Sequence, residues 1–345
     1  MAQQLPTTQR AAQYTGKGDL DVIQVAEKEV KQPGEGEVLV KVEYAGVNFI
    51  DTYFRAGVYP VEYPWYPGNE NSGTVVALGP GVSPATYGYA VGDKVAAYTA
   101  GNSFAEYAIA KAEKVVKLPE GFSTRDAATA VTQGLTALTF VKEAHEVKKG
   151  QFILVQAAAG GLGLLLLQLA KHFGATVIGT TSTPEKAEIA KKAGADHVIL
   201  YGDKDWERVV REVYAITGGE GIDRGVHAVF DGVGKDTFDV DFELLRRKGT
   251  LVTLGNASGP VAPFAPLKLG PKNLKVCRPV LNQYVHTQSE YQTYAKELFA
   301  LIQSGELKLA VHGEYPLSTE GVRDAQRDIT SRKTSGKLLI KVADA

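Results

Sequence analysis

Hydrophobic positions in the first third of the chain fall in short β-branched runs, "DVIQVAEKEV", "EVLVKVEYAGV", "SGTVVALGPGV", "GDKVAAY", "SFAEYAIA" and "EKVVKLP", separated by Gly and Pro. Such runs predict strands joined by turns. From Gly150 onward the pattern changes to short apolar runs alternating with amphipathic ones. "FILVQ", "TVIGTTS", "HVIL", "GVHAVFDGV" and "GTLVTLG" read as strands, and "LGLLLLQLAKHFG", "PEKAEIAKKAGA", "DWERVVREVYAITGG" and "FDVDFELLRRK" as the helices between them. Strand and helix in alternation predict a parallel sheet wrapped in helices, an α/β fold. Past residue 280 come a helix, "EYQTYAKELFALIQSG", and a closing strand, "GKLLIKV". The expected partition is one β-rich domain from residues 1–130 and 280–345, and an α/β domain from residues 131–279.

The most apolar stretch, "VQAAAGGLGLLLLQLAKHFG" at 155–174, is long enough to suggest a membrane span, but Gly160, Gly161 and Gly163 cut it into a strand and a helix. No membrane association is expected. Glycines between a strand and a helix let a phosphate approach backbone N–H groups at the positive end of the helix dipole. With a second strand following, Gly160, Gly161, Leu162 and Gly163 read as the turn that holds a dinucleotide pyrophosphate. The choice of dinucleotide is set further on. Where an NAD site carries Asp or Glu at the end of the second strand, this chain has Thr180, Thr181, Ser182 and Thr183, followed by Lys186. Hydroxyls and an amine suit a 2′-phosphate, so Ser182 and Lys186 predict NADPH over NADH.

Composition narrows the classes that remain. The 345 residues are 22% charged and 44% hydrophobic with a formal net charge of −1, so no general attraction to nucleic acid or anionic lipid is expected. A lone cysteine, Cys277, allows no internal disulfide and no zinc site needing two thiolates, and the opening residues carry no apolar secretion segment; a cytoplasmic location is expected.

"AGVNFIDTYFRAGVYP" (45–60), "PGNENSGTVVALGPGV" (67–82), "AAAGGLGLLLLQLAK" (157–171), "EKAEIAKKAGADHVI" (185–199), "FDGVGKDTF" (230–238), "LGNASGPV" (254–261) and "SRKTSGKLL" (331–339) together resemble the quinone oxidoreductase, zeta-crystallin-like branch of the medium-chain dehydrogenase/reductase superfamily, fungal members especially. The resemblance implies a GroES-like β-rich catalytic domain interrupted by a Rossmann doubly wound parallel-sheet domain. It also implies a homodimer, for which "GTLVTLG" is the expected pairing strand at the sheet edge. Zinc alcohol dehydrogenases of the superfamily ligate their metal with cysteine and histidine, where this chain has Asn48 and Asn69. No metal is therefore expected, and an acceptor needing little Lewis-acid help, such as a quinone, is favoured.

Asn48, Asp51, Tyr53 and Tyr59 crowd into twelve residues of the β-rich domain and are the candidate substrate site. Tyrosines can stack on a flat acceptor, while phenols and amides can donate to a developing oxyanion. Asp51 reads equally well as a helix cap. The resemblance further implies that Tyr53, Thr136, Tyr201, Gly255, Asn256 and Arg332 touch the cofactor. Two alternatives stay open: NADPH-dependent reduction of enones or alkenals, and binding of AU-rich RNA, a property associated with zeta-crystallin-like relatives. The sequence offers the latter no basic run and no aromatic RNA motif.

Overall fold

A computed structural model describes residues 5–201, 205–331 and 333–343. The chain forms two compact units, one from Met1–Gln133, Val285–Gln303 and Leu309–Ala345, the other from Gly134–Tyr284 and Ser304–Lys308.

The first unit begins with the antiparallel pair β1 (Thr8–Tyr14) and β2 (Ile23–Glu29). Its main sheet uses β3 (Glu37–Val47), β4 (Glu70–Leu78), β5 (Lys94–Tyr98), β6 (Tyr107–Lys111) and β7 (Val115–Lys117). Between strands lie helix α1 (Phe49–Arg55) and the helical turn α2 (Pro84–Tyr87). The long α3 (Thr124–Thr139) follows β7. Strand β3 holds this unit together: it pairs antiparallel with β4 and with β6, and its Val38, Val40 and Val42 are wholly buried. Burial of such alternating valines is the expected outcome of the period-two pattern.

The second unit is the α/β block. Its strands are β8 (Phe152–Val155), β9 (Thr176–Thr181), β10 (His197–Leu200), β11 (Val226–Asp231), β12 (Leu245–Thr253) and β13 (Lys275–Cys277). Its helices are α4 (Gly161–His172), α5 (Pro184–Lys192), α6 (Trp206–Thr217), α7 (Phe238–Leu244) and the turn α8 (Leu281–Tyr284). All six strands run parallel in the order β10-β9-β8-β11-β12-β13, the Rossmann arrangement whose order reverses between β8 and β11. The apolar stretch at 155–174 resolves as the end of β8 and as α4, whose Leu164 to Leu167 are all buried. Among the described residues no helix is long and apolar enough to cross a membrane.

The chain then returns to the first unit through α9 (Gln288–Gln303), β14 (Val311–Pro316), α10 (Thr319–Thr330) and β15 (Lys337–Lys341), with β15 pairing antiparallel to β3.

Two expectations need correction. The helix expected through 238–248 ends at Leu244, and β12 starts at Leu245. Leu244 and Leu245 are both fully buried, so the chain leaves the helix to keep Leu245 in the core, and the charged triplet after it is left toward solvent. "GTLVTLG" is not an edge strand. It lies in β12, flanked by β11 and β13, so the free edges of this sheet are β10 and β13.

Candidate functional site

Each unit carries one group of the predicted residues. In the first, β3 ends at Val47 and Asn48 caps the start of α1 in an extended conformation (φ −130°). Asp51, three residues on, reaches back: one carboxylate oxygen accepts from Asn48 N–H (2.8 Å) and the other from Gly68 N–H (3.2 Å). Gly68 has φ +96°, and a Cβ there would fall 2.6 Å from the Phe104 ring, so only glycine brings this N–H to the carboxylate. Asp51 is fully buried, and burial pushes its carboxyl up to about 7 against the pull of the two N–H groups.

The Asn48 amide is held on all sides. Its Nδ2 donates to Glu70 Oε1 (2.8 Å) and Gly46 O (3.3 Å), and its Oδ1 accepts from Lys337 Nζ (2.8 Å). Lys337 also pairs with Glu70 at 2.5 Å, both side chains being 1% exposed or less. The remaining Glu70 oxygen accepts from Thr132 N–H (2.7 Å). A Cβ on Gly46 would sit 2.3 Å from Glu70 Oε1, so this glycine makes room for the ion pair. Asn69, the other position compared with a metal ligand, is buried beside Glu70 in sequence. Tyr53 on α1 and Tyr59 in the following loop meet edge to face, ring centres 5.7 Å apart, and Phe54 extends the aromatic group to Trp65.

In the second unit the predicted residues follow the carboxyl ends of the strands, where doubly wound sheets bind ligands. Between β8 and α4, Ala157 adopts φ +51°, an uncommon value for a residue with a side chain. A Cβ on Gly163 would lie 2.7 Å from Ala157 O, which keeps α4 close against the turn. Gly160, Gly161 and Leu162 lead into the helix, half-buried, with Gly160 as its cap. Ser182 directly follows β9, Lys186 lies in the first turn of α5, and Tyr201 follows β10, its N–H donating to Thr181 O (2.9 Å). The ends of β9 and β10 thus place Tyr201 beside Thr181, the residue before Ser182. The Tyr201 ring stacks on Trp206 at 5.6 Å. Gly255 and Asn256 follow β12; a Cβ on Gly255 would lie 2.4 Å from Gly232 O. Thr136 is half-buried on α3. Arg332 lies outside the described residues.

A glycine cradle, a helix N-terminus and strand ends bearing hydroxyls and an amine fit a dinucleotide phosphate. Sequence reasoning passed over several neighbours of these residues. Arg278, after β13, donates to Thr253 Oγ1 and Gly255 O, both at 3.1 Å, and so props the Gly255 turn. Glu70 and Lys337 stand in the quoted motifs "GNE" and "SGKLL", but their pairing across 267 residues has no local signature.

A family model described as an alcohol dehydrogenase GroES-like domain matches residues 34–120, and one described as a zinc-binding dehydrogenase matches residues 161–300. A probable quinone oxidoreductase of Schizosaccharomyces pombe is 38% identical over 329 residues, 95% of each chain. The crystal structure of Escherichia coli quinone oxidoreductase complexed with NADPH superposes with a TM-score of 0.90 at 36% identity, covering 96% of this chain and 99% of that one. A 2-haloacrylate reductase of Burkholderia is 36% identical over 339 residues, 96% of this chain and 98% of its own. The chain belongs to the quinone oxidoreductase branch of the medium-chain dehydrogenase/reductase superfamily.

Proposed function

We propose that this protein is an NADPH-dependent, zinc-free quinone oxidoreductase that works in the cytoplasm as a homodimer. The observation that carries the cofactor choice is the end of β9: Thr181 gives way to Ser182 and, one turn later, Lys186, with no carboxylate at the strand end to receive a ribose hydroxyl. The likeness to an NADPH-complexed quinone oxidoreductase supports the same reading.

NADPH supplies the hydride when bound. The chain's own residues bind and orient. Backbone N–H groups at the start of α4 would hold the pyrophosphate, Ser182, Lys186 and Tyr201 would serve the 2′-phosphate, and Thr136, Gly255 and Asn256 would serve the rest of the dinucleotide. Tyr53 and Tyr59 give a quinone an aromatic wall and phenolic donors for its oxygens. Asn48 and Asp51 hold the start of α1 and so the placement of Tyr53. The zinc-free reading is supported by the donor set: an amide already committed to a lysine and a glutamate is a poor metal ligand. For the homodimer, the exposed edge of β13 replaces β12 as the pairing strand, and light scattering should give twice the 37.0 kDa chain mass.

The test is a substrate panel with NADPH. Ortho- or para-quinones should turn over faster than enones, alkenals or simple alcohols, and chelators should leave the rates unchanged. The likeness to a 2-haloacrylate reductase supports a second reading, reduction of activated alkenes, which wins if enones or alkenals are the best substrates. RNA binding would show as competition between AU-rich RNA and NADPH.

A further inference from the structure

At the point where the Rossmann strand order reverses, buried polar side chains form a chain of hydrogen bonds that the contacts above do not use. Thr180 Oγ1, on β9, donates to Gln156 Oε1 (2.5 Å), at the end of β8. Gln156 Nε2 donates to Asp241 Oδ1 (2.8 Å), on α7. Asp241 lies beside a second acid, Asp231, at the end of β11. Asp231 accepts from Val233 N–H (2.7 Å), Gly234 N–H (3.1 Å) and Thr237 Oγ1 (2.9 Å). Each of these four side chains is buried, Gln156 at 3% exposed being the most open.

Asp241 Oδ2 is met by no N–H or hydroxyl donor among the described residues. Its neighbour is a second carboxylate, an acceptor facing an acceptor. Two carboxylates in contact and out of water cannot both be charged. Asp231 gathers three donors, which favour its charged form; Asp241 gathers one. Burial, and then the charge of Asp231, push the Asp241 carboxyl well above the usual range.

We propose that Asp241 is an un-ionised acid that donates its Oδ2–H to the Asp231 carboxylate, and that this proton completes a strut positioning the phosphate turn. Gln156 is the residue before Ala157, where the turn begins at positive φ. Its backbone N–H is tied to Phe230 O (3.0 Å), and Ala158 N–H to Thr180 O (3.0 Å). Asp231 fixes the Gly232–Gly234 turn against which Gly255 packs. The acid pair therefore joins the two loops assigned to the cofactor, and it is a positioning pair. The role in positioning rests on the cofactor reading above; the proton does not.

The experiment has two arms. Infrared difference spectra of wild type against Asp241→Asn, without cofactor at neutral pH, should show an un-ionised carboxyl band lost in the variant; its absence from the wild type overturns the proton. NADPH titration by fluorescence follows. Asp241→Ala leaves Gln156 Nε2 unpaired and should bind about tenfold more weakly, the size of one buried hydrogen bond. Asp241→Asn, whose amide donates where the acid did and still accepts from Gln156, should recover most of that loss. An alanine variant as tight as wild type overturns the positioning role. A wild type that shows the band but binds no NADPH overturns the cofactor reading, and the positioning role with it, while the proton stands.

Discussion

Glu70 and Asp241 are equally hidden from water, each at 0% exposed, yet their surroundings neutralise them in opposite ways. Glu70, in the first unit, has a lysine: Lys337 sits against it, with the Asn48 amide and the Thr132 N–H completing its shell. Asp241, in the second, has another acid beside it and, as proposed above, keeps its own proton. The counter-ion also donates to Asn48 Oδ1 while Asn48 Nδ2 donates to Glu70, so lysine, glutamate and amide hold one another in one arrangement. A proton removes a negative charge instead. That difference suits what each unit is proposed to do. The first must fix a polar side chain at the start of α1. The second must receive an anionic ligand, and a pair of ionised aspartates at the strand switch would oppose it.

The largest effect should come from taking away the counter-ion. Lys337→Met leaves Glu70 charged, buried and unpaired and should destabilise the protein by about 3–5 kcal/mol. Adding Glu70→Leu to that variant should return much of the loss, since an apolar pair of similar volume is often no worse than a buried ion pair. Urea unfolding of the single and double variants measures both. A single variant costing less than about 1 kcal/mol would mean that the pair behaves as if it were solvated.

Next in size is the positive charge at the ligand end of the second unit. Lys186→Ala should weaken NADPH binding roughly ten- to a hundredfold, the worth of a charged hydrogen bond of about 1.5–3 kcal/mol, and should leave NADH almost untouched. Dissociation constants for both cofactors, taken at one fixed salt concentration, separate the outcomes. Equal losses for the two would show that Lys186 supports α5 instead of reading a phosphate.

The two clusters also mark how far the sequence could be read. The glycine turn, the acid-free end of β9 and the alternation of strand and helix are local patterns, each contained in one or two elements, and they were legible. The strand β1 was passed over because "TQRAAQY" has few β-branched residues to announce it. The strand β13 is only three residues long. Glu70 with Lys337, and Gln156 with Asp241, join residues 267 and 85 positions apart. Nothing in either segment alone distinguishes them: Asp241 reads as one more polar residue on a helix until the sheet beneath it supplies Asp231. What chain topology brings together, periodicity cannot announce.

The last expected effect, spread over pH and smallest when counted per pH unit, separates a third buried carboxylate from the other two. Asp51 has neither a lysine in contact nor a second acid, only two backbone N–H groups, and burial raises its carboxyl from 3.8 to about 7. The charges that act on it from neighbouring strands oppose each other, Lys337 lowering and Glu70 raising it, and Tyr14 lies beside it through a bond to its backbone carbonyl. Between those two pH values the unfolded chain is ionised at this position while the native state still holds a proton. The native state therefore binds more protons, and stability must fall as pH rises, levelling off above about 7. One proton corresponds to a slope of at most about 1.4 kcal/mol per pH unit. Asp51→Asn carries no titrating group, so it should lose about that slope between pH 5 and 7. It will also carry a constant offset, because an asparagine cannot accept from both N–H groups. The slope, read from urea unfolding at several pH values, is the quantity that decides. Identical slopes in wild type and variant would mean that Asp51 is already ionised well below neutrality, its two N–H donors sufficing as Lys337 suffices for Glu70.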